Sequence, residues 1–425
     1  MAGRISAVIP ARYRPRRFSP TRTLASRCEI GGVTNRADTL TPTRLARGTV
    51  LAAAPLTIMA AAIIAPSLPA MREVFAGTPG SDLLVRLALT VTSLAIAISA
   101  PLSGIVADRV GRRPLLLAGL GLYAISGTAG FFVSDLPLLL ATRAGLGLAV
   151  GAIMTAVSTL ITDWYSGERR ASFLGLQQAF ASLGGVVFLP LAGLLATVDW
   201  KAPFWIYSAS AIVAVFAIVS LREPARSSLA ASASERTRPP ARIIGVYVLA
   251  LVATLVFYMA PTQLPFLLEG FGSGPAVIGA VVAGSTVTGV AGALAFPRLR
   301  ERLSPTAITT FSVALMGAGW LVIGTAGTVA PVVAGLLVGG LGVGLVVPNL
   351  NLRLAEFAHP AQRGRVLSGL VTGIFLGQFL SPLVVQPLVQ GIGISDAFTW
   401  TGVAMGAGAA LAALFTNRNN GKEER

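Results

Sequence analysis

The chain has almost nothing from which to build a metal or redox site. It carries one cysteine, Cys28, and one histidine, His359. No disulfide framework, Cys-rich zinc site or haem attachment can be assembled from these. Charge is scarce too, at 12% of residues, about half of what a soluble domain carries. Acids are scarcer still, 17 against 33 lysines and arginines, and none lies deep in an apolar run: Asp82 and Glu269 sit near run ends and Asp108 in a loop. One histidine and edge-only acids leave no constellation for catalysis, so no enzyme and no cofactor is expected. There is no Gly-rich phosphate loop, which argues against ATP-driven work by this chain.

What the sequence has instead is apolar length. Of 425 residues, 54% are hydrophobic, and mean hydropathy is +0.75. The apolar residues come in long runs such as 115–133 and 397–415. Each is roughly long enough to cross a ~30 Å hydrocarbon core as a helix. In lipid every backbone N–H and C=O needs a partner within the protein, so a spanning run is a helix or part of a closed barrel. Barrel strands alternate over about ten residues, and these runs do not. The 47 glycines and 26 prolines fit such helices, where small residues let backbones approach and neighbours satisfy bonds that proline breaks. The fold class is therefore all-α and membrane-spanning.

Twelve spans are expected, near 49–70, 84–106, 114–133, 136–160, 170–196, 203–221, 243–268, 276–296, 305–327, 329–350, 365–388 and 396–416. With both termini in the cytoplasm, 29 of the 33 basic residues fall in inside segments. Arg72 and Lys201 remain outside, and Arg86 and Arg143 lie within spans. This bias follows the positive-inside rule and places the chain in a plasma membrane, specifically a cell inner membrane. The net charge of +16 is thereby accounted for without nucleic acid.

Five segments result. Residues 1–47 hold ten arginines and two acids and read as a basic disordered cytoplasmic arm, with an organelle transit peptide or a later translation start as other readings. A six-helix bundle covers 48–221, a flexible cytoplasmic linker 222–242, a second six-helix bundle 243–416, and a cytoplasmic tail 417–425. The bundles look related. A shift of 194 residues lays Pro137 on Pro331, Gly145 on Gly339 and Gly175 on Gly369. Parallel six-helix halves of this kind recur in secondary transporters, with the binding site near mid-membrane between them.

The strongest local signal follows the second span: Gly104-Ile-Val-Ala-Asp108-Arg109-Val-Gly111-Arg112-Arg113. A glycine at a helix end, Gly104 here, allows a tight turn. By charge alone the segment is a positive-inside loop. The whole pattern resembles the motif G-x-L-x-D-R-x-G-R-[KR] of the major facilitator superfamily, with Val106 in place of leucine. The resemblance covers about 48–415. It implies a fold of twelve helices in two pseudo-repeated bundles, with Asp108 and Arg112 in a latch that holds the cytoplasmic side closed when the outer side is open. The second-half loop, 297–305, keeps basic charge but lacks the Asp-Arg-x-Gly core, so no symmetrical latch is expected.

Arg143 stands inside the fourth span, four residues before Gly147. A charge at mid-span costs roughly 2.5–3.5 kcal/mol on insertion scales. Gly147 and Gly151 make a small-xxx-small face. The segment resembles the superfamily's R-x-x-x-G motif, which implies proton coupling; snorkelling to the interface is the plain alternative. Gly185, Pro190 and Gly193 in the fifth span resemble the antiporter motif G-x-x-x-G-P-x-x-G, with Leu189 where a glycine belongs. Tyr258, Thr262 and Gln263 in the seventh span are substrate-cavity candidates, as unpaired polar groups in lipid are costly, and Gln177 and Gln178 are weaker ones. Asp82 and Arg86, four apart, share a helix face and either pair or form an outer gate or proton site.

These features imply a drug:proton antiporter-type efflux permease, exporting a drug or secreted metabolite by alternating access. Its partners would be a small-molecule substrate, protons and the lipid bilayer, and it would act as a monomer. Uptake by symport or uniport, or a transport-inactive membrane sensor of the same fold, are the alternatives. Without a deep carboxylate, the cargo would be neutral, zwitterionic or anionic rather than strongly cationic.

Overall fold

The computed structural model describes residues 42–223, 241–358 and 363–423. Most of the expected arm and linker, with His359 and Cys28, lie outside the described residues. Those described fold into helices, with no strand among them. Twelve of the helical stretches are long and apolar enough to cross a membrane.

The first span is broken. Helix α1 (Arg44–Ala62) gives way to a tight turn at Ala65–Ser67 and then to short α2 (Leu68–Val74). Pro66 and Pro69 sit at this break, each at a helix start, where a missing N–H costs nothing. Thr43 caps α1 by accepting from the Ala46 N–H at 3.1 Å, so the last four residues of the expected arm are already helical. The half continues with α3 (Ser81–Val110), α4 (Arg112–Phe132), α5 (Leu136–Trp164), α6 (Gly167–Ala196) and α7 (Ala209–Ser220), the last preceded by a 3-10 stretch at Ala202–Ser208. The second half holds α8 (Ala241–Gly270), α9 (Pro275–Arg302), α10 (Pro305–Gly324), α11 (Val329–Phe357), α12 (Arg363–Ile392) and α13 (Ile394–Glu423). The expected tail is thus mostly a helical extension of α13.

The repeat is written in the helix bounds. A shift of 194 residues carries α5 to within one residue of α11 at both ends, and α3 to within two of α9. The caps do not follow the repeat: Asp135 Oδ2 accepts from the Leu138 N–H ahead of α5, whereas in the second half Ser304 Oγ accepts from the Ala307 N–H ahead of α10, the counterpart of α4.

Within each half small residues let helices close up. A Cβ on Gly319 or Gly335 would strike the backbone of the facing helix, which brings α10 and α11 together. Outward faces are apolar, as at Ile125, Phe132, Val219 and Leu294, all at least 69% exposed. Such a surface belongs in hydrocarbon.

The halves meet along α3 with α12 and α6 with α9, and α2 with its turn reaches α8. Their cores interpenetrate. Tyr258 and Phe266 of α8 belong to the apolar cluster of the first half, and Leu189 of α6 to a cluster of the second. The α3–α4 loop defines one end of the bundle, here the motif end; the other is the far end. Side-chain hydrogen bonds between halves include Arg72–Glu269 and Arg86–Gln263, toward the far end, and Ser93–Gln378, nearer mid-depth.

Candidate functional site

At the motif end, Gly104 is not the turn residue. It lies inside α3 with open space where a Cβ would stand. The turn is made by Gly111, whose φ of 111° only glycine adopts readily. This lets α4 start at once after α3, and the first N–H groups of α4 need acceptors. Glu223, just past α7, supplies them. Its carboxylate accepts from the Arg112 N–H at 2.7 Å and the Arg113 N–H at 2.8 Å. A negative charge on a positive helix terminus is favourable. Arg113 also donates to the Ile218 carbonyl at 2.9 Å. The motif loop is thus tied to the chain where it leaves the first half.

Arg112 pairs with Asp163 at the end of α5, at 3.1 Å, more closely than with Asp108 at 4.0 Å. Asp108 is 77% exposed. Arg109 is exposed beside it. The expected Asp108–Arg112 latch is therefore not engaged with the second half in this conformation. That half keeps a reduced counterpart, Arg300 with Glu356 at 3.7 Å. Asp163 and Glu223 are acids at helix ends, and their spacing from Arg112 in sequence gave no sign of the pairing.

We expect Glu223→Ala to destabilise the protein by about 1 kcal/mol, the usual size of a lost helix cap. A melting curve of purified protein reads this out. An unchanged midpoint would show that the cap contributes nothing.

Arg143 does not snorkel. It is 0% exposed, enclosed by α4, α5 and the stretch before α7. Its Nη2 donates to the Ser126 and Gly127 carbonyls at 3.2 and 3.0 Å, and its guanidinium lies over Phe204 and Tyr207, 4.8 and 5.0 Å from the ring centres. Its Nε and Nη1 have no partner among the described residues, and no acid pairs with it. Gly130 makes the room, since a Cβ there would meet Phe204 at 2.5 Å and Arg143 Nη2 at 3.0 Å. Gly147 and Gly151 press against α3, where a Cβ on the first would collide with the Thr92 carbonyl oxygen and one on the second with the Ser99 side chain.

Toward the far end, Arg86 on α3 is 3% exposed and reaches across to α8. Its Nε donates to Gln263 Oε1 at 3.1 Å, and Gln263 Nε2 donates to Gln386 Oε1 of α12 at 3.2 Å. The guanidinium lies 4.0 Å from the ring centre of Phe266. Arg86 and Asp82 do pair, but the carboxylate is 3.7 Å away, while the Asp82 carbonyl accepts at 2.6 Å. Further out, Arg72 and Glu269 form a 3.0 Å ion pair between halves. Ser93 donates to Gln378 at 2.8 Å. This chain of polar contacts closes the far end.

The cavity candidates divide. Thr262 is fully buried and donates to the Tyr258 carbonyl of its own helix, so it is engaged locally. Tyr258 packs into the first half's core, and Gln263 belongs to the closing chain. Gln177 and Gln178 on α6 are half-buried and exposed, without hydrogen-bond partners among the described residues. Among the described residues no hydrogen bond joins them to the α8 group. Gln378 and Gln386 were missed, though each is a polar residue in an apolar run, the signal that marked Gln263.

The fifth-span glycines are contact points. A Cβ on Gly193 would meet the Pro275 carbonyl oxygen of α9 at 2.6 Å, and one on Gly279 the Leu189 carbonyl oxygen at 2.5 Å. Gly185 faces Thr286, at 3.0 Å. Leu189 fills the second half's core rather than leaving a gap. Pro190 stays within α6, which runs unbroken to Ala196.

Two copies of one family model, described as Major Facilitator Superfamily, match residues 50–247 and 246–425. Over 174 residues the chain is 26% identical to the quinolone resistance protein NorA of Staphylococcus aureus, covering 41% of this chain and 44% of that protein. Over 159 residues it is 31% identical to a triacylglyceride transporter of Mycobacteroides abscessus, covering 37% of this chain and 29% of that one. The matched stretch is thus less than half of each relative. Solved structures of a D-xylose-proton symporter and of the nucleoside transporter NupG superpose with a TM-score of 0.72 each. Their identities are 16% and 12%; each covers 87% of this chain, and 96% and 99% of their own length is matched. At such identities the likeness is one of fold.

Proposed function

Since the chain belongs to the Major Facilitator Superfamily, we propose that it exports a small organic molecule, a drug or a secreted metabolite, across the plasma membrane in exchange for protons. It is a membrane transporter rather than an enzyme. The observation that carries the mechanism is the placement of the cross-half polar contacts toward the far end and mid-depth. With both termini in the cytoplasm, the motif end is the inner end, and the conformation is the one closed to the outside. The likeness to a quinolone resistance protein supports export of drug-like cargo.

In this reading cargo enters from the motif end, and the halves rock about the α6–α9 and α3–α12 contacts. Outward opening breaks Arg72–Glu269 and frees Arg86 from Gln263. Asp108, now exposed and only loosely paired with Arg112, then latches the inner side. Arg143 supplies the buried cation of the coupling step. With no acid deep in a span, the cargo is neutral, zwitterionic or anionic. One proton entering across ~150 mV supplies about 3.5 kcal/mol, enough for a gradient of roughly 300-fold.

The test is a pH-jump assay on purified protein in liposomes, screened with dyes, fluoroquinolones and siderophores. Protons should move opposite to the transported compound, and Asp108→Asn should slow exchange about tenfold without weakening cargo binding. Protons moving with the compound would make the protein a symporter, and compound movement without proton flux a uniporter. Normal exchange by Asp108→Asn would remove the latch.

A further inference from the structure

At the motif end, α8 and α11 part around a cleft of about 360 Å³. Its walls are Arg242, Gly245, Val246 and Leu249 of α8, with Arg353 and Phe357 of α11. These positions are spaced three, four and seven apart along α8 and four apart along α11, so each set shares a helix face. The volume lies in the range of small-molecule pockets, roughly 300–1,000 Å³. We propose that this cleft binds the phosphate of an anionic phospholipid. The inference rests on the membrane-spanning arrangement and not on the cargo, direction or coupling proposed above.

Charge is the first argument. Neither Arg242 nor Arg353 has an ion pair or hydrogen bond among the described residues. Arg112, Arg113 and Arg300 at this end are engaged, by Asp163, the Ile218 carbonyl and Glu356. Arg169, Arg170, Arg298 and Arg302 have no such partner among the described residues, so what sets Arg242 and Arg353 apart is the cleft they share. Glu356 stands three residues from Arg353 on the same helix, yet its described ion pair is with α9. Two cations facing one cleft repel, and an anion between them turns that repulsion into two attractions. Guanidinium suits phosphate in particular, offering paired donors to adjacent oxygens.

Depth is the second argument. Arg242 is the second residue of the span Ala241–Gly270, and Arg353 the next to last of the span Val329–Leu354. Both therefore lie where the chain leaves the hydrocarbon, at the level of lipid headgroups. Basic pockets between spanning helices on the cytoplasmic side are a recurrent way to hold such groups.

The apolar wall is the third, and it separates a lipid from a soluble anion. From Arg242 to Leu249 the cleft descends about 10 Å along α8, at 1.5 Å per residue. Val246 and Leu249 line this descent, while Phe357, the last residue of α11 and four past Arg353, stands on the water side of the arginines. A free phosphate would use the two arginines and nothing below them. A glycerophospholipid would place its phosphate between the arginines and its glycerol and first methylenes on that wall. Gly245 has open space where a Cβ would stand, so the absence of a side chain there is part of the cleft and not of helix packing. The same helix carries Tyr258, Gln263 and Glu269, so a lipid on its first two turns holds one end of the element that closes the other.

The experiment is native mass spectrometry of the full chain in detergent, titrated with phosphatidylglycerol or phosphatidylcholine. The intact protein should retain phosphatidylglycerol preferentially. Arg242→Gln with Arg353→Gln should weaken that binding about 30-fold, two basic contacts at ~1 kcal/mol each. Arg242→Lys with Arg353→Lys should restore most of it. Gly245→Leu sets a side chain in the cleft, from a position where a Cβ meets no atom within 4 Å, without altering charge, and should also displace the lipid while melting as the parent does. Equal retention of phosphatidylglycerol by parent and double glutamine variant would overturn the proposal. So would displacement by equimolar glycerol 3-phosphate, which would make the ligand a soluble anion, or by transported cargo, which would make the cleft part of the cargo path.

Discussion

If Arg143 supplies the coupling cation, Arg143→Met should lower transport at least 100-fold, flatten its dependence on the pH gradient and leave the melting temperature within a few degrees of the parent. The combination follows from the environment of the side chain. Arg143 is fully buried with two carbonyls and two aromatic rings around it and no paired acid. Hydrogen bonds from a charged donor contribute ~1.5–3 kcal/mol each, and a desolvated cation–π contact about 2. Against this stands a desolvation penalty of several kcal/mol for an ion without a counter-ion. The two sides are of the same order, so the charge adds at most a few kcal/mol to stability, and methionine keeps the stem that fills the space. A buried cation with little structural return is expected where function requires it. Reconstituted vesicles at several external pH values read out transport, and calorimetry the fold. Unaltered pH dependence would move coupling to another residue. A large fall in melting temperature would make Arg143 a structural clamp.

The second large effect is expected at the α6–α9 contact. Gly193→Leu should reduce transport more than tenfold and lower the melting temperature. Its Cβ would stand 2.6 Å from the Pro275 carbonyl oxygen and 3.1 Å from the Ala276 Cα. Those are backbone atoms of a packed helix, which cannot swing aside as a side-chain tip does. Overpacking of this kind typically costs 1–3 kcal/mol, here on the surface about which the halves turn in the proposed mechanism. Gly175→Leu, also on α6, is the control, since open space surrounds that position. Equal activity of the two variants would show that the α6–α9 approach is not needed for turnover.

The spans were legible because lipid imposes one rule on every residue: about twenty apolar positions in a row, and helical backbone throughout. The ends were less so. The fourth span was expected to stop at 160, and α5 runs on to Trp164, because a helix continues into water where hydropathy no longer marks it. Likewise α1 begins at Arg44 under a Thr43 cap. Gly111 was visible within its motif, whereas Gly104 is a turn only by analogy with other helix ends. The pairings were hidden. That Arg112 meets Asp163, or that Glu223 caps α4, depends on how α4, α5 and α7 pack, and sequence distance carries no such information. The same holds for Gln378 and Gln386. Their polarity could be read, and their partners across the seam could not.

The reciprocal burial at the seam gives the closed far end a thermal character. Tyr258 and Phe266 are embedded in the first half's core, and Leu189 in a cluster of the second. Separating the halves there wets aromatic and aliphatic surface, which raises heat capacity. The balance between closed and open far end is therefore curved in temperature. Cooling weakens the apolar part of the closure and leaves the Arg72–Glu269 pair and the Arg86–Gln263–Gln386 chain to carry more of it. A transporter closed in this way has its far end open for a larger share of the time in a cold cell than in a warm one.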